Sequence, residues 1–132
     1  MQQFTTFVLL SSLAFAQSST PTAQQIETLG MSNGRLWLAM PSPEMRTMYL
    51  VGIKDILLAT QSKDAKDYMA SGFLVKEMAA SIDHFYAFPE NVRIPIVNAL
   101  QISVLKFKGV QPEQIESVTA TFRKMLSDLP EK

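Results

Sequence analysis

Phe85-Tyr86-Ala87-Phe88-Pro89-Glu90-Asn91-Val92-Arg93-Ile94-Pro95, at the centre of the stretch from Ser71 to Gly109, decides the fold of this 132-residue chain. The residue before a proline is pushed toward extended geometry, so a helix entering this segment must end before Pro89, and Ile94 is extended. Upstream, Leu74, Met78, Ile82 and Phe85 recur at helical spacing, with Val75, Ala79 and Tyr86 widening the stripe and Ser71-Gly72 offering a cap. Downstream, Pro95 suits a first helical position, and Ile96, Val97, Leu100, Val104 and Phe107 continue a core face. Lys106 and Lys108 complement the negative end of that helix, Gly109 stops it, and Val110 can fold back on its terminus. The stretch therefore reads as two core helices joined by a rigid, proline-braced connector.

Outward from this hairpin the remaining elements are helical too. Ser42-Pro43-Glu44 combines a hydroxyl cap, a proline at the first turn and a carboxylate near the positive dipole end. It predicts a helix to about Thr60 whose core face carries Met45, Met48, Tyr49, Gly52, Ile56 and Ala59. Gly52 costs about 1 kcal/mol relative to Ala in mid-helix, so it predicts a close helix crossing there. Lys54 and Asp55 lie off that stripe. Before it, Ser32 or Asn33 caps a short helix through Leu36, Trp37 and Met40, ended by Pro41, with Trp37 anchoring it on the core and its indole N–H near the surface. Residues 61–67 read as a charged loop. Pro112, Glu113 and Glu116 open a last helix with the stripe Ile115, Val118, Thr119, Phe122, Met125, Leu126 and Leu129. No segment shows sustained strand alternation. The expected fold class is all-α: a small single-domain bundle of four main helices plus one short N-terminal helix, spanning residues 31–130.

Composition narrows the partners. With 47% hydrophobic and 18% charged residues the chain is that of a folded domain. Twelve basic residues balance twelve acidic ones, so no net field draws it to nucleic acid or an anionic membrane. Cysteine is absent, which removes disulfides, thiolate metal sites and a cysteine nucleophile together. At the N-terminus, Phe4 to Ala16 is an apolar run too short to span a bilayer comfortably, and it ends in Ala14-Phe15-Ala16, the small-x-small pattern of a signal-peptidase site. Residues 1–16 are expected to be a signal peptide, 17–30 a flexible leader, and the mature protein secreted or periplasmic, with no membrane partner after cleavage.

Few chemistries fit the side chains. The single histidine, His84, has Asp83 beside it, but one turn away stand Ala80 and Ser81 rather than further metal ligands. Ser81 lies at a helical offset from His84 suited to a nucleophile–base pair, which keeps an enzyme centred on His84 as one reading. Ser103-Val104-Leu105-Lys106 has the Ser-x-x-Lys form without its companion Ser-Asp-Asn and Lys-Thr-Gly elements. No cofactor motif or metal motif is present, and none is expected. Met45, Met48, Met78 and Met125 fall on core stripes as gap fillers; the alternative is a pocket for a small apolar ligand carried between Met-bearing helices.

Recognition of another protein is the leading expectation, and its best residues are Tyr86, Phe88, Glu90, Asn91 and Arg93. They sit on the braced connector, and rigid loops bearing aromatic residues and arginine commonly anchor interfaces. The competing structural role has Phe85 and Phe88 plugging the core, Asn91 capping the turn and Glu90 pairing with Arg93. A homodimer also stays open.

Asn33-Gly34-Arg35-x-Trp37, Tyr49-x-x-Gly52 and Asp83-x-Phe85-Tyr86-x-x-Pro89-Glu90-Asn91-x-x-Ile94-Pro95 resemble a group of small, signal-bearing bacterial proteins of unknown function. More distantly, the order of a Tyr-x-x-Gly helix, a helix ending at Pro-Glu and a third helix is similar to the Tai-type immunity proteins that inhibit type VI secretion amidases in the periplasm. That resemblance covers most of the mature chain. It implies an all-helical, secreted, non-enzymatic protein that acts by burying a partner's active site.

Overall fold

Leu29 and Gly30 both adopt positive φ, 55° and 75°, and so turn the chain between two short antiparallel strands, β1 (Glu27–Thr28) and β2 (Met31–Ser32). The computed structural model describes residues 22, 25–60, 63, 66 and 74–130. Within that span the leader expected up to residue 30 is corrected. Thr28 is buried, and the Asn33 backbone N–H donates to the Ile26 carbonyl at 2.8 Å, so the folded domain starts before residue 31. The expected signal peptide, the Ser71-Gly72 cap and most of the 61–67 loop lie outside the described residues; Lys63 and Lys66 are helical and exposed.

Five α-helices follow among the described residues: α1 (Gly34–Ala39), α2 (Pro43–Ala59), α3 (Val75–Tyr86), α4 (Ile96–Phe107) and α5 (Pro112–Ser127), with a 3₁₀ turn at Pro89–Asn91. The domain is all-α, with four main helices and a short first one. The caps of α1 and α2 are those the sequence specifies, whereas α3 is capped at Leu74. Asn33 Oδ1 accepts from Arg35 N, and Ser42 Oγ accepts from Met45 N. At the end of α4, Gly109 N donates to Lys106 O and Val110 N to Leu105 O, the paired bonds of a Schellman motif, with Gly109 at φ 77°. Pro95 is the N-cap of α4 rather than its first helical residue.

Helix α3 is the central element, packing against α1, α2 and α4, while α5 packs on α4 and the 3₁₀ turn. Trp37, Leu50, Met78, Ile82, Tyr86, Ile96, Ala99 and Leu100 form the buried core. The indole of Trp37 is fully buried rather than at the surface, and its N–H donates to Asp83 Oδ1 at 2.7 Å.

Helix α2 corrects the sequence reading most sharply. Its inward face carries Arg46, Tyr49, Leu50 and Ile53, whereas Met45, Met48, Gly52, Ile56 and Ala59 face outward. The helix is apolar nearly all round, so two overlapping stripes fit helical spacing and periodicity alone does not choose between them. Trp37 chooses. Tyr49 meets the indole edge-on with ring centroids 6.5 Å apart, and Arg46 lies 6.0 Å over the ring while binding Asp83 at 2.8 Å. Nothing lies within 4 Å of a Cβ placed on Gly52, so no close crossing occurs there within the described chain. Smaller corrections have the same origin: Leu74, Val97, Val118 and Met125 sit at the margins of their stripes and are exposed.

The Tyr86 hydroxyl, buried against the core, donates to Ile94 O at 2.8 Å. Burial, with a smaller contribution from nearby Tyr49, raises its pKa far above the ordinary tyrosine range. In the unfolded chain the same group ionises near pH 10, so the stability it contributes is complete below about pH 10 and is lost as pH rises beyond. Urea titrations between pH 8 and 11 are expected to show a flat free energy and then a fall of about 1.4 kcal/mol per pH unit from this group. Tyr86→Phe removes that component of the slope and lowers the baseline by about 1 kcal/mol through the lost hydrogen bond.

Candidate functional site

The connector between α3 and α4 is held by both backbone and side-chain hydrogen bonds. Asn91 N donates to Phe88 O, Val92 N to Pro89 O and Ile94 N to Asn91 O, which wind the segment into one tight turn. The buried Asn91 amide donates to Phe85 O at 2.7 Å and accepts from Arg123 Nε at 2.7 Å, clamping the turn to the end of α3 and to α5. Arg93 Nη2 donates to Leu129 O at 3.0 Å, a second clamp on the far end of α5. Asn91→Ala leaves a carbonyl and a guanidinium N–H without their partner. The expected loss is about 2 kcal/mol of unfolding free energy, with faster amide exchange at residues 88–94 by NMR.

This clamped turn walls an open groove of about 580 Å³ between α3, α4 and α5. Ser81, Phe85, Ile102, Ser103 and Ile115 contribute to its lining, with the two serine hydroxyls hydrogen-bonded to each other at 3.0 Å. His84, Phe88, Glu90, Lys106, Glu116 and Arg123 also line it. Phe88 is 47% exposed and packs edge-on against the His84 ring, with centroids 5.7 Å apart. Arg123 is neutralised on the spot: Nη1 pairs with Glu116 at 2.8 Å, and Nη2 stands 4.0 Å from Glu90.

The five residues singled out on the connector divide. Phe88 and Glu90 are exposed at the groove, Arg93 is half-buried, and Tyr86 and Asn91 are buried within the turn they stabilise. Glu90 faces Arg123 rather than Arg93, because Arg93 is drawn to the end of α5. Sequence reading missed the groove's far wall. Glu116 and Arg123, seven residues apart, share a face of α5 beside Thr119, and an opposite-charge pair at that spacing along an apolar stripe was the available signal.

His84 lines the groove, one turn from Ser81, and the neighbouring Asp83 accepts through Oδ1 from Trp37 and Arg46. Ser81 donates to Ser103 instead of to an imidazole. The serine of Ser103-x-x-Lys106 is buried, and its lysine is exposed at the groove. Among the described residues Met45 and Met48 are exposed on α2 and Met78 is core, so these three do not line one pocket. Among the described residues no cluster of three or more His, Cys, Asp or Glu side chains could hold a metal ion, and no helix is long and apolar enough to cross a membrane.

Comparison with protein-family models, with curated proteins and with solved structures finds no match for this chain.

Proposed function

We propose that this is a secreted or periplasmic, non-catalytic binding protein that inserts an apolar segment of a partner protein into the groove beside Phe88. One observation carries the reading: an open groove lies where a loop clamped through Asn91 and Arg93 presents an exposed aromatic ring. Rigid presentation lowers the entropic cost of association, and a ring standing beside a partly apolar cleft is the usual composition of an interface anchor. The apolar N-terminal run with its small-x-small ending supports the compartment. An inhibitor that covers a partner's active site, as in the immunity proteins the sequence resembles, is the form this binding takes.

The test is capture from the envelope fraction of the native host. A partner retained by the natural protein and lost by Phe88→Ala combined with Ile115→Ser, with unchanged circular dichroism, carries the proposal. Equal retention by both overturns the groove as the interface.

A second reading keeps the groove and changes the occupant. Its volume falls within the range of small-molecule sites, so a small, largely apolar ligand fits there rather than between the Met-bearing helices. Native mass spectrometry showing a co-purified small molecule, displaced in Ile115→Trp, would favour it.

A further inference from the structure

We infer that the outward face of α2 is a self-association surface on which a second copy of this chain packs antiparallel, with the two-fold axis at Gly52. The face is apolar at helical spacing: Met45 is 50% exposed, Met48 67% and Ile56 65%, with Gly52 between them and Ala59 beyond. At 100° per residue these side chains all point within about 40° of the Gly52 direction. Among the described residues nothing gives Gly52 a reason to be glycine. No described atom lies within 4 Å of a Cβ placed there and the residue adopts helical geometry, yet glycine weakens a helix interior. A backbone approaching from outside the chain supplies that reason.

The identity of that backbone follows from the spacing. Counted from Gly52, the apolar residues stand at −7, −4, +4 and +7. A two-fold axis through Gly52 then sets Met48 against the partner copy's Ile56 and Met45 against its Ala59, a large side chain opposite a small one. Parallel packing would crowd Met45 on Met45 at one end and leave Ala59 on Ala59 at the other. Charge agrees with the antiparallel choice. It opposes the helix dipoles and brings Glu44 of one copy to the end of α2 that Lys63 follows four residues later, whereas parallel packing sets Glu44 beside Glu44. The patch offers on the order of 400 Å² of apolar surface per copy, within the range of the largest functional patches. That is about half the ~800 Å² per partner of a standard stable interface, so the dimer is weak, with a dissociation constant between about 10 μM and 1 mM.

The absence of cysteine allows a clean test, because Met48→Cys and Ile56→Cys each introduce a lone thiol at an exposed position. An equimolar mixture of the two variants, mildly oxidised at 200 μM protein, is expected to form a disulfide-linked dimer at least tenfold faster than either variant alone. Sedimentation velocity of the natural protein is expected to show a monomer–dimer equilibrium that Gly52→Leu abolishes while circular dichroism is unchanged. In dilute solution Gly52→Ala is expected to raise the thermal midpoint by about 3–6 °C, since the added methyl meets none of the described residues. Each single variant linking to itself as fast as the mixture overturns the antiparallel dimer. A monomer at 1 mM overturns it as well, and slow alkylation of the new thiol in that monomer would assign the face to this chain's own residues.

Discussion

Gly34→Ala is expected to cost about 3 kcal/mol and to lower the thermal midpoint by on the order of 10 °C. The reason is a fixed neighbour rather than backbone freedom. A Cβ at position 34 runs into the Cδ1 and Cε1 edge of the Tyr86 ring. That ring cannot swing away, because it is buried in the core and its hydroxyl is bonded to Ile94 O. Nor can the backbone retreat, since Gly34 N donates to Val92 O at 2.9 Å and Asn33 forms a β-bridge with Pro95. Chemical denaturation measures the loss, and a double-mutant cycle identifies its source. On a Tyr86→Leu background the Gly34→Ala penalty is expected to fall by at least half, whereas a general intolerance of substitution at position 34 would leave it unchanged.

The same residues explain why the motif Asn33-Gly34-x-x-Trp37 was conspicuous in the sequence without its role being readable. Each member makes a long-range contact that no local pattern encodes. Asn33 caps α1 and bridges to Pro95, Gly34 admits Tyr86, and Trp37 reaches Asp83 across 46 residues. What could be read was local chemistry: the Ser42-Pro43 start of α2, the Gly109 stop of α4, the break at Pro89 and the start of α5 at Pro112. Caps and prolines act within a few residues, so their consequences are written in the neighbouring sequence. The facing of α2 was not legible, because both of its stripes satisfy helical spacing and the decision lies with Trp37 and Asp83 on other elements.

The groove was legible on one side only. The proline-braced connector follows from the sequence, since two prolines and an aromatic cluster constrain a short link wherever it lies, whereas the choice between Phe88 facing out and Phe88 plugging the core does not. The opposite wall depends on how α5 rolls against α4. Residues Glu116, Thr119 and Arg123 come to the groove because Asn91, an ordinary turn residue by sequence, accepts from Arg123. The same bond explains why Asn91 is buried: it is a junction between three elements rather than a surface for a partner.

Asp83→Ala is expected to be the second most damaging single change, costing about 2–3 kcal/mol. Asp83 Oδ1 accepts from Trp37 Nε1 at 2.7 Å and from Arg46 Nη1 at 2.8 Å, so one oxygen ties α1 and α2 to α3. The ion pair contributes little of this, because the carboxylate is more than a third exposed and water screens it. The indole N–H contributes most: it belongs to a fully buried ring with no other acceptor among its described contacts, and burying it unpaired forfeits its hydration without return. Arg46 adds to the strain, since its Nε already lacks a partner among the described residues. The two contributions separate by choice of variant. Asp83→Asn keeps an acceptor for the indole and discards the charge, so it is expected to cost about 1 kcal/mol; Arg46→Met keeps the acceptor and discards the cation, at under about 1 kcal/mol. Trp37 is the only tryptophan, so its fluorescence reports on this site alone. Its emission is expected to shift in Asp83→Ala and to stay near its natural position in the other two. Equal losses in Arg46→Met and Asp83→Ala would instead make the ion pair, not the indole's acceptor, the tie that fixes which face of α2 turns inward.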